Sequence, residues 1–362
     1  MYSYTMRKMK RLLLSLILVM SATGMVFAQD TIPEPEQPAQ KPLAKAAFES
    51  GYFIANQTVA MPPASTLEFV IQHDFGDIQD HWSNLWGIWG ASNIRLGMSY
   101  TPTKDLQIGF GTTKNKLLQD LNIKYTFVRQ RQGGFPLTIS AYGNIALNAS
   151  NKSQLGNNTL PSDLDYNSLV SDTTFRKNIN NTILVNDTAF GLNYITYAQA
   201  EGLEGANESD LNSLFDETFK ASYRFSYYLE FMFAHRFCKE FSAQVGVSWC
   251  HYNLVDQAEM ANNHVNGMLN DNMSISLLGR VKVSPQSSIL LSYSQPFWTY
   301  TNTAPWPNFG LAWEISTSTH AFQVYMTAAN NLVPQEIMMY NKNNPYLGAI
   351  LFGFNITRLW TF

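Results

Sequence analysis

From Thr66 to the C-terminus the chain alternates apolar and polar residues with period two. The segment NIRLGMSY shows it most clearly: Ile94, Leu96, Met98 and Tyr100 alternate with Asn93, Arg95, Gly97 and Ser99. In a strand, successive side chains point to opposite faces, so this pattern predicts a strand with one apolar face. It recurs in Leu106–Ile108–Phe110, in Leu121–Ile123–Tyr125–Phe127, and in the stretches 137–147, 219–233, 241–249, 273–283, 289–293, 309–315 and 322–328. With 67–73 and the closing stretch, about twelve strands are predicted.

The connections alternate as well. Short turns fall at TPTKD, RQRQGGF, HRFCKE, SPQS and STSTH; between them run longer polar segments at 74–91, 113–118, 149–217, 254–270, 297–308 and 330–349. Greek-key sandwiches have no reason to alternate in this way, whereas outer-membrane barrels have short periplasmic turns and long external loops. The fold class expected is all-β, a transmembrane antiparallel up-and-down barrel. Charge parity agrees: Glu68, Arg95, Lys124, Arg224, Glu230, Arg280 and Glu314 all fall on the face opposite the apolar one. A one-residue slip would turn Arg95 or Lys124 to lipid, at roughly 2–4 kcal/mol near the midplane.

The first 28 residues carry Arg7, Lys8, Lys10 and Arg11, then an apolar run and Val26-Phe27-Ala28, the pattern of a cleaved secretory signal peptide. Residues 29–62 begin Pro-, Gln- and Lys-rich and are expected to be a flexible periplasmic leader, with the barrel from residue 63 to 362. Without residues 1–28 the chain holds 20 basic and 27 acidic residues, a net charge of −7, which excludes nucleic acid as a partner. Register bears on the two cysteines. A turn near Lys239-Glu240 would pair Cys250 with a residue near Leu229 rather than with Cys238, so both are expected to be free.

The ending, FGFNITRLWTF, keeps apolar residues at alternate positions: Phe354, Ile356, Trp360 and Phe362 are expected to be the closing strand and an assembly signal. Arg358 shares that lipid-facing parity. Near the interface a charge costs only about 0–1 kcal/mol.

Residues 50–135 hold a further pattern. His73, Phe75 and Gly76 end one strand; Ile94, Arg95, Leu96 and Gly97 form the next; Gly109 and Gly111 sit in a Gly-rich strand, and Lys124-Tyr125 in a fourth. This resembles the opening of a Bacteroidota outer-membrane β-barrel family of unassigned function. The resemblance implies fold and address, with membrane lipid, lipopolysaccharide and the barrel assembly machinery as partners. It transfers no catalytic residue. Asp74 stands where the family would have a basic residue.

Candidate chemistry adds little to this picture. NNHVNG at 262–267 faintly resembles the His-containing motif of an outer-membrane phospholipase, but Val265 and Asn266 stand where a serine nucleophile is needed. The six histidines lack metal-ligand spacing, so neither a metal nor a cofactor is expected. Trp82, Trp86 and Trp89 read as an aromatic girdle at the interface, with a sugar-stacking platform as the alternative. The inward charges could form a selectivity constriction or pair inside a closed lumen. The leading reading is non-enzymatic: a small-solute channel or ligand-uptake pore. The alternative is a closed barrel anchoring a periplasmic or surface partner, with the long loop 149–217 as its contact.

Overall fold

The computed structural model describes residues 41–151, 159–161, 221–256, 270–298 and 305–362. The signal peptide, the first part of the leader, most of the 149–217 loop and the NNHVNG motif lie outside the described residues.

Twelve antiparallel strands close into a barrel. In chain order they are β1 (Thr66–Asp77), β2 (Asn93–Thr103), β3 (Leu106–Thr113), β4 (Leu118–Val128), β5 (Thr138–Asn148), β6 (Phe225–Arg236), β7 (Phe241–Tyr252), β8 (Asp271–Lys282), β9 (Ser287–Pro296), β10 (Asn308–Ser316), β11 (His320–Thr327) and β12 (Leu351–Thr361). Each pairs with its sequence neighbour, and β12 pairs with β1 through Trp360 opposite Leu67 and Thr361 opposite Thr66. Closure leaves no edge strand unpaired, as a membrane-spanning sheet requires. No helix among the described residues is long and apolar enough to cross a membrane.

The alternation sorts the side chains. Outward residues such as Phe110, Leu121, Ile123, Leu277, Leu291 and Val324 are exposed. The inward face is lined by small polar residues, among them Ser242, Ser248, Ser274, Ser276, Ser288 and Ser292, all buried. Twelve strands spaced 4.8 Å apart and tilted about 40° give a backbone radius of roughly 12 Å, so short wall side chains leave a central space roughly 6 Å in radius. Such a space admits one chain segment, and chain from each end of the barrel occupies it.

From the turn side, residues 47–60 run into the lumen. This corrects the expectation that the leader is flexible throughout to residue 62. Phe48, Phe53, Ile54, Ala55 and Val59 are buried in one apolar cluster with wall residues Met232, Leu278 and Leu290. The leader's second half is therefore an island of apolar side chains needing cover. From the loop side, residues 328–341 of the β11–β12 connection turn inward rather than forming a wholly external loop. Leu332, Val333, Ile337, Met338 and Met339 are buried there, partly on a short helix α1 (Pro334–Tyr340).

Connection lengths depart from strict alternation. Only Lys114–Leu117 separate β3 from β4, although a long external segment was expected; the turn between β4 and β5 is longer. The barrel assignment rests instead on pairing and parity. Cys250 lies opposite Tyr228, one residue from the expected position, and both cysteines are free.

Candidate functional site

The lumen is the candidate site, and its inner half is built around the backbone of residues 51–60. A two-residue ladder, Tyr52–Phe53 against Asn56–Gln57, makes a tight hairpin with Ile54 in the left-handed region at φ 59°. A hairpin this small leaves most of its backbone groups unpaired, and buried unpaired groups are costly. Wall side chains supply the partners. Gln323 on β11 accepts from the Ile54 N–H at 3.0 Å and donates to the Tyr52 carbonyl at 2.8 Å. Gln244 on β7 accepts from the Val59 N–H at 3.0 Å and donates to the Gln57 carbonyl at 2.8 Å. Each primary amide thus takes the place of a neighbouring strand. Asn355 on β12 adds a donation to the Ile54 carbonyl at 2.8 Å.

Ionic contacts hold the approach to this segment. Arg280 on β8 donates to the Ala47 carbonyl at 3.0 Å and pairs with Glu49 at 2.7 Å; Lys282 pairs with the same carboxylate at 3.1 Å. Partial burial pushes the Glu49 carboxyl up, but Arg280 and Lys282 outweigh it and hold it below its ordinary 4.5. Lys124 donates weakly, at 3.4 Å, to the carbonyls of Gly51 and Ala60.

At mid-barrel, Arg95 on β2 reaches across β3 to Asp120 on β4. Nε meets Oδ1 at 2.9 Å and Nη2 meets Oδ2 at 2.7 Å, a bidentate pair buried on both sides. The glycines of the family-like pattern make room for it. A Cβ on Gly111 would lie 2.3 Å from Arg95 Nη2, and one on Gly97 2.8 Å from Nη1.

The outer half is filled by residues 328–341. Asn308 accepts from the N–H groups of Ala328 and Ala329, and Asn272 donates to the Met338 carbonyl. Glu336 pairs with Lys116 at 2.8 Å and accepts from the Tyr252 hydroxyl at 2.7 Å. Gln335 donates to Asn144 at 2.8 Å, Asn144 donates to Asp120 at 3.0 Å, and Arg95 closes the line by donating to the Tyr52 hydroxyl at 3.4 Å. One hydrogen-bonded chain therefore runs from the outer insertion, through the wall, to the inner one.

The structure places Glu68, Arg95, Lys124, Glu230, Arg280 and Glu314 buried on the lumen face. They do not form one ring. Glu68 accepts from Gln107, Glu230 from Tyr228 and Ser276, and Glu314 from Gln323. Arg224 is a correction: β6 begins at Phe225, not near 219, and Arg224 ends a short 3₁₀ turn, donating to the carbonyls of Asn148 and Ser150. Counting parity back past the true strand start placed it on the wall. Asp120 was missed, although it shares the inward parity of Asn122 and Lys124. Trp82, Trp86 and Trp89 sit in the β1–β2 connection, Trp82 and Trp89 more than 70% exposed. Phe354, Ile356 and Trp360 lie on the outward face of β12, with the Arg358 guanidinium 5.0 Å from the Trp360 ring, and the Phe362 N–H donates to the Ser65 carbonyl.

A closed antiparallel barrel with an apolar outer band and a polar, internally occupied lumen defines a membrane-spanning β-barrel protein. The chain belongs to the membrane bound beta barrel domain family (DUF5777), whose profile matches residues 48–360 and so takes in the inner insertion. Comparison with curated proteins finds no sequence match. Among solved structures, the chain is similar to the NanC porin (4% identity, TM-score 0.40, covering 82% of this chain and 99% of that one). It is also similar to the KdgM porin in complex with disordered oligogalacturonate (6%, 0.36, 82% and 99%) and to the Acinetobacter baumannii outer membrane protein Omp33 (9%, 0.33, 82% and 98%). At such scores these likenesses carry nothing about cargo.

Proposed function

We propose that the protein is a non-enzymatic outer-membrane channel for small solutes, closed by its own residues 47–60 at the turn side and 328–341 at the loop side. The observation that carries this reading is how the inner insertion is held. Its backbone is bound by wall amides, Gln244, Gln323 and Asn355, around a lumen face of Ser, Thr, Asn and Gln. A barrel evolved as a solid body has no need of a polar wall, because apolar side chains fill an interior without unmet hydrogen bonds. A wall that bonds equally well to a peptide or to water suits an interior that is emptied and refilled. The signal-peptide pattern of residues 1–28, read from sequence, and the aromatic closing strand support the outer-membrane address.

The test is conductance in planar bilayers. The chain as it stands should give rare openings, whereas a variant that lacks residues 42–60 and carries a short Gly-Ser link in place of residues 330–341, with or without Gln244→Ala and Gln323→Ala, should conduct steadily. Heat-modifiable migration confirms that each barrel is folded. Folded variants that stay silent would end the channel reading. They would favour the second one, a closed anchor for a partner, which the apolar cluster inside the lumen supports.

A further inference from the structure

The turn-side rim carries a feature that the channel reading leaves unused. An open groove of about 650 Å³ lies between the β4–β5 turn, the β6–β7 turn and the chain leading into the lumen. Among the described residues, its basic lining is Lys45, Arg131, His235, Arg236, Lys239 and Lys282, and no carboxylate lines it, although Glu49 pairs with Lys282 from outside the groove. In a chain with more acids than bases, such one-sided clustering is a local reversal of sign. The groove is also braced. Arg236 donates to the carbonyls of Cys238 and Lys239, the Ala44 N–H donates to the Gln130 carbonyl, and the Gln132 N–H donates to the Pro42 carbonyl. The two turns and the chain leading into the lumen, which carry the cations, are therefore tied to one another.

The same two turns set the depth of the groove. Phe237 is 61% exposed and stacks on Phe241 with ring centroids 5.3 Å apart, and Phe135 is exposed on the facing turn. Aromatic residues at the end of the outward band settle at the level of lipid headgroups. Arg236 and Lys239 lie within two residues of Phe237, and Arg131 is on the turn that carries Phe135. The turns that carry the cations therefore stand at the depth of lipid phosphates, with the exposed rings of Phe135 and Phe237 on the same two turns. Basic clusters at that level attract anionic headgroups.

We propose that this groove holds the headgroup of an anionic phospholipid from the turn-side leaflet. The inference rests on the membrane-spanning reading and not on conduction, so a silent channel leaves it intact. Lys282 joins the groove to the Glu49 contact, which places the lipid beside the anchor of the inner insertion.

The test is native mass spectrometry of the full chain in detergent, offered equal amounts of phosphatidylglycerol and phosphatidylethanolamine. The wild type should retain phosphatidylglycerol preferentially. Lys45→Gln with Arg131→Gln and Lys239→Gln, all outside the strands, should weaken that preference by about fivefold per cation, roughly a hundredfold in total. Heat-modifiable migration shows that the variant is folded. Equal retention of the two lipids by the wild type, or an unchanged preference in the folded variant, would overturn the proposal. So would displacement of bound lipid by millimolar inorganic phosphate, because that would make the site one for free phosphate. Binding of an acidic peptide with no lipid preference would equally defeat it.

Discussion

Replacing Gln244 and Gln323 with alanine removes four hydrogen bonds to the inner insertion, at Tyr52, Ile54, Gln57 and Val59. A typical bond contributes about 0.5–1.5 kcal/mol net, so the pair of clamps is worth about 2–6 kcal/mol. Water can enter the space the amides leave and recover part of this, so the lower half of the range, about 2–4 kcal/mol, is the expected loss. At 1.4 kcal/mol per factor of ten, the closed-to-open ratio should fall about 30- to 700-fold. Hydrogen exchange at the Thr58 amide reads this ratio, because it donates to the Gly51 carbonyl within the insertion and keeps that acceptor in the variant. Amides of the wall strands, such as those joining β7 to β8, should keep their protection. A rise confined to the insertion would support the clamp. Exchange unchanged within twofold at Thr58 would show that apolar contacts of Phe48, Phe53 and Ile54 hold the segment unaided, and would refute the reasoning.

Other perturbations test other parts of the lumen. Arg95→Met leaves the Asp120 carboxylate buried without its partner, and should cost about 3–5 kcal/mol in denaturant unfolding of the detergent-solubilised barrel; adding Asp120→Leu should recover most of that. Gly111→Ala puts a methyl group within 2.3 Å of the Arg95 guanidinium, and a shift in thermal unfolding equivalent to about 1–3 kcal/mol is expected. Glu49 has a folded pKa below 4.5, so its contribution is complete above that value and is lost as pH falls through the lower folded one; acid should loosen the insertion, seen as faster exchange, and Glu49→Gln should abolish that pH dependence. With the insertions displaced, the wall presents Arg95, Lys124 and Arg280 against Asp74, Glu68, Asp120, Glu230 and Glu314, so reversal potentials in a salt gradient should show a modest cation preference.

The barrel was legible because lipid enforces parity. Arg95 and Lys124 could face only one way, and each fixed the orientation of its whole strand. The Arg95 motif was visible as a pattern, but its cause was not, since the glycines at 97 and 111 make sense only once the guanidinium is seen lying across them. What the sequence hid was the filling of the lumen. Phe48, Phe53 and Ile54 stand in a stretch with no strand or helix period, and a hairpin with two residues per arm leaves no periodic trace. Helix α1 has seven residues, too few to show a 3.6-residue repeat. Both segments are held by partners far along the chain, which local pattern cannot announce. Arg224 shows the opposite failure, in which a pattern was extended past the strand that produced it.

The clamps on the inner insertion also fix an order of assembly. Val59 waits for Gln244, 185 residues later; Ile54 waits for Gln323 and Asn355, 269 and 301 residues later. Until the last strands arrive, the insertion has only the long contacts from Gln72 and Lys124 and then the Gln244 clamp to hold it, and its Ile54 end stays without the Gln323 and Asn355 amides. Residues 47–60 behave like a stopper that fits only a finished bottle, and their protection from a protease added during refolding would report that the final seam has closed.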